Sequence, residues 1–239
     1  MQPPAERQWL SINIVRVKPE MLTEWQDFQK NEAIPALQKG GIKQRDVWQT
    51  AVFGEAYEYT FVTPITNFAQ YDSDGPILKA LGQEGARAYA AKARRMIASS
   101  RTYAIQTRPD LSYMGKMTGP PKLSVGTFVK VAPGRHVELE NLIKTDIVPV
   151  MKRADVAGYF VSQVVFGGDA NEYASFVLYD KFADLDKGSP YARVLGQDGT
   201  NKLLQKTAGL VVSAERRVYR YNAELSFGAP APPQKAENK

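Results

Sequence analysis

The chain contains no cysteine and a single histidine in 239 residues. The first absence excludes disulfides, thiolate nucleophiles, Cys-ligated zinc and iron–sulfur clusters. The second excludes a multi-histidine metal site and leaves His136 as the one residue a Ser-His-Asp triad has to use. Apolar runs of the ~18–20 residues that a membrane span needs are also missing, so no membrane partner is expected. The net charge is only +6, and Arg87, Lys92, Arg94 and Arg95 share one predicted helix. That is the pattern of a solvated helix face, without the dense patch and recognition motif of a nucleic-acid module, so no nucleic-acid partner is expected. The start, Met1-Gln2-Pro3-Pro4, carries no hydrophobic targeting segment, which as written predicts a cytoplasmic protein. A Gln-Pro-Pro start is equally what signal-peptide removal leaves, with Met1 replacing the cleaved part, and that predicts an exported or periplasmic one. The localisation stays open.

What the chain does contain is a repeat. A shift of 114 positions brings Val17 onto Val131, Pro19 onto Pro133, Pro35 onto Pro149 and Glu58-Tyr59 onto Glu172-Tyr173. The same shift lays Leu81-Gly82-Gln83-Glu84-Gly85 on Leu195-Gly196-Gln197-Asp198-Gly199. A period this long marks a duplicated domain, not a solenoid. Each half opens on a strand rich in β-branched residues (Trp9 to Val17, Leu123 to Val131), followed by a proline at the first helical position. Pro35 and Pro149 fall late in the helix that follows and predict a kink in each. Two strands come next: Arg45 to Phe53 and Tyr57 to Val62, joined by a short Gly-containing hairpin, then Gly158 to Phe166 and Glu172 to Tyr179 in the second copy. A glycine-broken helical region follows, its joint capped by Gln83 or Gln197, and a last strand closes each half at Arg101 to Thr107 and Arg217 to Ala223.

The order β-α-β-β-α-β is that of the split-βαβ or ferredoxin-like unit, with both helices on one face of four antiparallel strands. The fold class is therefore α+β: two tandem ferredoxin-like units, residues 8–108 and 122–226. A Pro/Gly-rich linker, 109–121, joins them, and a disordered tail is expected over 227–239. Two such units in one chain bury their bare sheet faces against each other, as an intramolecular dimeric α/β barrel. Further homo-oligomerisation is left open.

Val129-Lys130-Val131-Ala132-Pro133-Gly134, Ile147-Val148-Pro149, Gly158-Tyr159, and Glu172-Tyr173 to Tyr179 followed by Phe182-Ala183-Asp184 resemble the dimeric α/β-barrel superfamily. That group includes antibiotic-biosynthesis-type monooxygenases, NIPSNAP-like proteins and haem-binding chlorite dismutases. The resemblance implies a barrel that holds a small hydrophobic or aromatic ligand, and a cofactor-independent monooxygenase-like enzyme acting on it. The competing reading is a non-catalytic, NIPSNAP-like binding or interaction protein with the barrel as scaffold. No cofactor is expected. His136, whose counterpart is Leu22, is expected at or near the surface and not as a haem ligand. The cofactor-free monooxygenases use an Asn and a Trp on the third strand, where this sequence has Ser175 and Tyr179.

The candidate ligand-binding residues come from the strands. Tyr57 and Tyr59 share one strand face, as do Tyr173, Ser175, Val177 and Tyr179. Tyrosine offers an apolar wall with a positioned hydroxyl, which suits an aromatic ligand. Trp48 and Tyr103 join this set, and Asn13 on the first strand is a polar group that can point inward. Arg101-Thr102-Tyr103 parallels Arg217-Val218-Tyr219, and Glu58 parallels Glu172. An arginine paired with a glutamate at a sheet edge is either a structural ion pair or an oxyanion stabiliser at a cavity mouth. Catalytic residues are not assigned, and no metal is expected.

Overall fold

The computed structural model describes residues 6–116 and 121–228. Its strands are β1 (Trp9–Val17), β2 (Asp46–Thr50), β3 (Glu58–Ile65), β4 (Ile97–Thr107), β5 (Tyr113–Met114), β6 (Leu123–Val131), β7 (Gly158–Phe166), β8 (Glu172–Tyr179) and β9 (Val211–Tyr221). The α-helices are α1 (Leu22–Phe28), α2 (Ile34–Lys39), α3 (Pro76–Met96), α4 (His136–Leu142), α5 (Val148–Arg153) and α6 (Pro190–Lys206). None of the described helices is long and apolar enough to cross a membrane. β1, β6, β7 and β8 have the bounds that their β-branched runs predict. β4 and β9 begin earlier than expected, because their exposed first residues show no alternation to read.

The strands hydrogen-bond in the order β4-β1-β3-β2-β9-β6-β8-β7-β5, and β4 pairs a second time with β7. Eight strands thereby return to their start, the topology of a closed antiparallel barrel in a mixed α+β chain. Two compact units are present among the described residues: one holds 6–10, Ala51–Gly54 and the described part of Tyr103–Tyr221, the other Ser11–Thr50, Glu55–Thr102 and 222–228. Each is completed by short segments from the other half of the sequence.

In the first unit, the end of β4 is laid on β7, with Ile105 opposite Val164 and Thr107 opposite Ser162. The Ala51 N–H donates to the Val218 carbonyl at 2.8 Å. One sheet face packs on α4 to α6, where Tyr159, Val161 and Tyr173 meet Leu139, Ile143 and Leu203. In the second unit, Trp25 and Phe28 of α1 bury against Val15, Val17, Val47, Tyr59 and Phe61. The segment from Asn222 to Gly228 closes that core: Leu225 is 1% exposed, and Arg45 and Phe227 exchange two backbone hydrogen bonds of 2.9 Å. Phe227, expected to open a disordered tail, is thus built into the fold. Residues 229–239 lie outside the described residues.

The expected proline kinks take the form of widened turns. A π-helical stretch, Gln29–Ala33, links α1 to α2, and another, Ile143–Ile147, links α4 to α5. The helix stays continuous through each stretch: the Ile34 and Val148 N–H groups reach back five residues to the Gln29 and Ile143 carbonyls, and the wider turn makes room for the proline that follows and its missing N–H. The tight hairpin expected after β2 is instead a longer connection in which Val52 and Tyr57 both adopt positive φ. The glycine joints do form, at Gly82 (φ 69°, ψ −179°) and Gly196 (φ 65°, ψ −177°). They are not capped by glutamine as expected: the Gln197 amide donates to Asn201, and the Thr200 hydroxyl donates to the Gly196 carbonyl. Such φ/ψ values are essentially restricted to glycine, so Gly82→Ala is expected to cost about 1–3 kcal/mol. An unchanged denaturant midpoint for that variant would contradict the argument.

Candidate functional site

The side-chain period of two divides each residue of the first unit's sheet between two faces. On the face turned away from the helices, three rows follow from the register. Tyr219, Ser124 and Leu178 form one; Arg217, Gly126, Phe176 and Phe160 the next; Glu215, Phe128, Ala174 and Ser162 the third. Phe128 meets Phe176 edge-on at 5.8 Å, and Tyr219 lies 6.3 Å from Phe176 and 6.4 Å from Phe128. These three rings gather around Gly126, where an added Cβ would stand 2.9 Å from the Tyr219 ring and 3.0 Å from that of Phe176. Glycine is required there by ring packing.

Two polar features distinguish this face from an ordinary core. Ser124 and Ser162 are 2% and 5% exposed, yet neither hydroxyl has a hydrogen-bond partner among the described residues. A buried hydroxyl without a partner costs about 1–3 kcal/mol, so both positions are poised to gain from an incoming polar group. The Arg217 guanidinium lies 5.7 Å from the centre of the Phe128 ring, and its Nε donates to Glu215 Oε1 at 2.6 Å. Held by the acid on its own strand, the cation is fixed over the aromatic floor.

The residues expected from the sequence divide between places. Arg217 and Tyr219 belong to the face just described. Ser175 and Tyr179 point the other way, with Tyr173 and Val177, into the helix-covered core. There burial pushes the Tyr159 phenol up, an effect offset in part by its hydrogen bond with Ser175. Burial raises the Tyr179 phenol too, with Arg193 and Arg216 pulling it back. In the second unit, Tyr59 is buried on the helix side, 4.3 Å from Trp25, and accepts a hydrogen bond from Gln26. Trp48 lies on the opposite face, directly across from Thr60, as does the buried Glu58, which accepts from Thr50. Tyr57 precedes β3 as an exposed loop residue, so it shares no strand face with Tyr59. Asn13 donates to Ser100 and Thr102, and Arg101 is exposed on β4. Tyr103 is half-buried on the part of β4 that belongs to the first unit.

Phe128, Phe160, Phe176, Ser124 and Ser162 were not singled out by sequence reasoning. Their signal was available as the even-numbered positions of β6, β7 and β8, but nothing in the sequence marks which face the helices leave uncovered.

Two buried arginines were also missed. Arg108, 3% exposed, donates from Nε and Nη2 to the Asp110 carboxylate at 2.9 and 2.7 Å and from both Nη atoms to that of Glu140. Tyr173 donates to the same Glu140 at 2.7 Å. The guanidinium holds both carboxyls below their usual range. This cluster ties the end of β4 to α4.

The sole histidine does not fit a haem ligand. His136 Nε2 is hydrogen-bonded to Asn171 at 3.0 Å, Nδ1 is buried, and the ring lies 5.8 Å from Tyr173 on the helix-covered side. No group of three or more metal-ligating His, Asp or Glu side chains occurs among the described residues.

No protein-family model matches the chain, and no curated protein matches it. Solved structures do. A "putative monooxygenase" from Lactobacillus acidophilus superposes with a TM-score of 0.57 at 10% identity, over 93% of this chain and 96% of its own. An anthrone oxidase-like protein gives 0.59 at 10%, over 92% and 94%. A mutant chlorite dismutase from Candidatus Nitrospira defluvii gives 0.59 at 7%, also over 92% and 94%. These neighbours are of the dimeric α/β-barrel type, and at such low identity the likeness establishes the fold.

Proposed function

We propose that the protein binds a small aromatic or hydrophobic molecule on the aromatic face of the first unit's sheet and acts on it as a cofactor-independent, monooxygenase-like enzyme. The observation that carries this reading is the pair of buried hydroxyls, Ser124 and Ser162, which have no hydrogen-bond partner among the described residues and share a face with Phe128, Phe160, Phe176 and Tyr219. Ring faces and edges supply apolar area, the hydroxyls orient polar substituents, and Arg217 stabilises an oxyanion that develops on a phenolic or enolic substrate. Fold neighbours described as a "putative monooxygenase" and as anthrone oxidase-like favour this over the NIPSNAP-like scaffold.

The finer architecture belongs to the same proposal. We read residues 8–108 and 122–226 as tandem ferredoxin-like repeats joined by the linker 109–121. The support is that β4-β1-β3-β2 and β9-β6-β8-β7 repeat one strand order, and that π-turns and glycine joints recur 114 positions apart.

The test is oxygen consumption with a panel of phenols and quinols, together with their binding followed by protein fluorescence. Ser162→Ala is expected to weaken binding by about 3–10-fold, the worth of one neutral hydrogen bond. Binding without oxygen uptake across the panel overturns the enzymatic half of the proposal. Binding unaffected by Ser162→Ala, Ser124→Ala and Phe128→Ala overturns the site.

A further inference from the structure

The second unit carries a groove between α2 and α3 that the proposed reaction does not use. It is an open groove of about 410 Å³, within the ~300–1,000 Å³ range of small-molecule sites. Pro35, Ala36, Leu81 and Ala88 supply an apolar wall, Lys39 and Lys92 a cationic rim, and Tyr89 lies among them. Lys92 is partly committed, because its ammonium pairs with Glu32. That pair recurs as Lys206 with Asp146, 114 positions on, which marks it as a strap between helices and leaves Lys39 as the cation of interest.

Tyr89 also packs against the core of Phe61, over which lies a buried cation that meets no carboxylate among the described residues. Arg45 is 5% exposed, with its guanidinium 4.8 Å from the Phe61 ring and 5.4 Å from that of Phe227. Its Nη atoms donate to the Gln29 side chain at 3.3 Å and the Leu225 carbonyl at 3.0 Å, while Nε is buried without a partner. Among the described residues the side chain meets no carboxylate. Burial lowers its pKa to about 10, and its charge counteracts the burial that raises the Tyr89 phenol. The field of Arg45 therefore reaches the residue that lines the groove. A buried cation lacking an anion is costly, and an anion held nearby offsets that cost.

The corresponding positions of the first unit keep a cation, Arg153 in the place of Lys39, but lack the other features. Ala36 is replaced by Val150, Tyr89 by Leu203 and Arg45 by Tyr159, all buried. The helix strap and a cation at the Lys39 position are shared by both units, whereas the small wall residue, the tyrosine and the buried arginine are confined to one.

We propose that this groove binds a small organic carboxylate with an apolar body, its tail on the Pro35–Ala36–Leu81–Ala88 wall and its carboxylate toward Lys39, in the field of Arg45. The site is independent of the aromatic face. The probe is hexanoate, titrated calorimetrically into the whole protein, with hexan-1-ol as its neutral counterpart. Hexanoate is expected to bind at least about tenfold more tightly than the alcohol, the worth of a charge-assisted hydrogen bond. Lys39→Ala is expected to weaken it to a similar extent, and Ala36→Val to reduce it by occupying the wall. Arg45→Gln is expected to do the same where the variant folds by circular dichroism; where it does not, Lys39→Ala and Ala36→Val decide. Ser162→Ala should leave hexanoate binding unchanged, which keeps this result separate from the fate of the aromatic-face proposal. Absence of binding at millimolar hexanoate overturns the inference, as does equal affinity for the alcohol. Indifference to both Lys39→Ala and Ala36→Val also overturns it, and a loss on Ser162→Ala moves the site to the sheet face.

Discussion

A chain ended after Tyr221 is expected to leave the second unit unfolded. Residues Asn222 to Gly228 belong to that unit and carry part of its core. Leu225 is fully buried with Trp25, Val47 and Tyr59, and loss of a buried leucine side chain alone costs about 2–5 kcal/mol. The same cut removes the Leu225 carbonyl that accepts from Arg45, the Ser226 hydroxyl that accepts from the Val47 N–H, and the backbone pairing of Arg45 with Phe227. A buried guanidinium stripped of an acceptor adds about 1.5–3 kcal/mol. The sum reaches the ~5–15 kcal/mol that a whole domain has available. Hydrogen exchange is the discriminating measurement: amides of β3 and α1 should lose protection in the truncated chain. A truncated protein with native protection in those elements would refute the closing role of the segment. Leu225→Ala, with the chain intact, is expected to give a smaller loss of the same kind.

Glu140→Ala is expected to destabilise the first unit by about 3–5 kcal/mol, the usual consequence of removing one partner from a buried ion pair. The substitution leaves the buried Arg108 with Asp110 alone and strips Tyr173 of its acceptor. Lys206→Ala, which breaks the exposed pair with Asp146, serves as the contrast and should change stability by less than about 1 kcal/mol. The Arg108 cluster also has a pH signature. Arg108 depresses the Glu140 and Asp110 carboxyls in the folded protein relative to the unfolded chain. Stability from such groups is complete above the ordinary carboxylate range, and it is lost as pH falls through their depressed folded values. Denaturant midpoints of the parent protein should therefore drop from about pH 4 downward, and Glu140→Ala should flatten that drop. An acid profile identical in parent and variant would show that the cluster contributes little.

Much of the fold was legible because strands and helices announce themselves locally. The runs Trp9–Val17 and Leu123–Val131 are β-branched and bounded by Pro or Gly, and they form β1 and β6 as read. Pro35 and Pro149 marked the right helix positions, although the backbone answered with a π-turn. The early halves of β4 and β9 escaped notice because exposed residues carry no burial pattern. The Arg108–Glu140 and Arg45–Leu225 contacts join residues 32 and 180 positions apart, and no local pattern encodes such distances.

The candidate site was half legible for a sharper reason. Alternation along β8 correctly groups Tyr173 with Ser175, Val177 and Tyr179, and Ala174 with Phe176 and Leu178. It is silent on which group the helices cover. Both groups are apolar enough to be buried, so composition does not break the tie. Only the packing of α4 to α6 decided it, sending Ser175 and Tyr179 into the core and leaving Phe128, Phe176, Arg217 and Tyr219 on the other side with two serines that have no hydrogen-bond partner among the described residues. The sequence by itself determined the elements, their order and the pairs of residues that share a face, because those follow from local steric preference and a period of two. Tertiary structure alone decided which face carries chemistry and which charges are buried, because both depend on what packs against a strand.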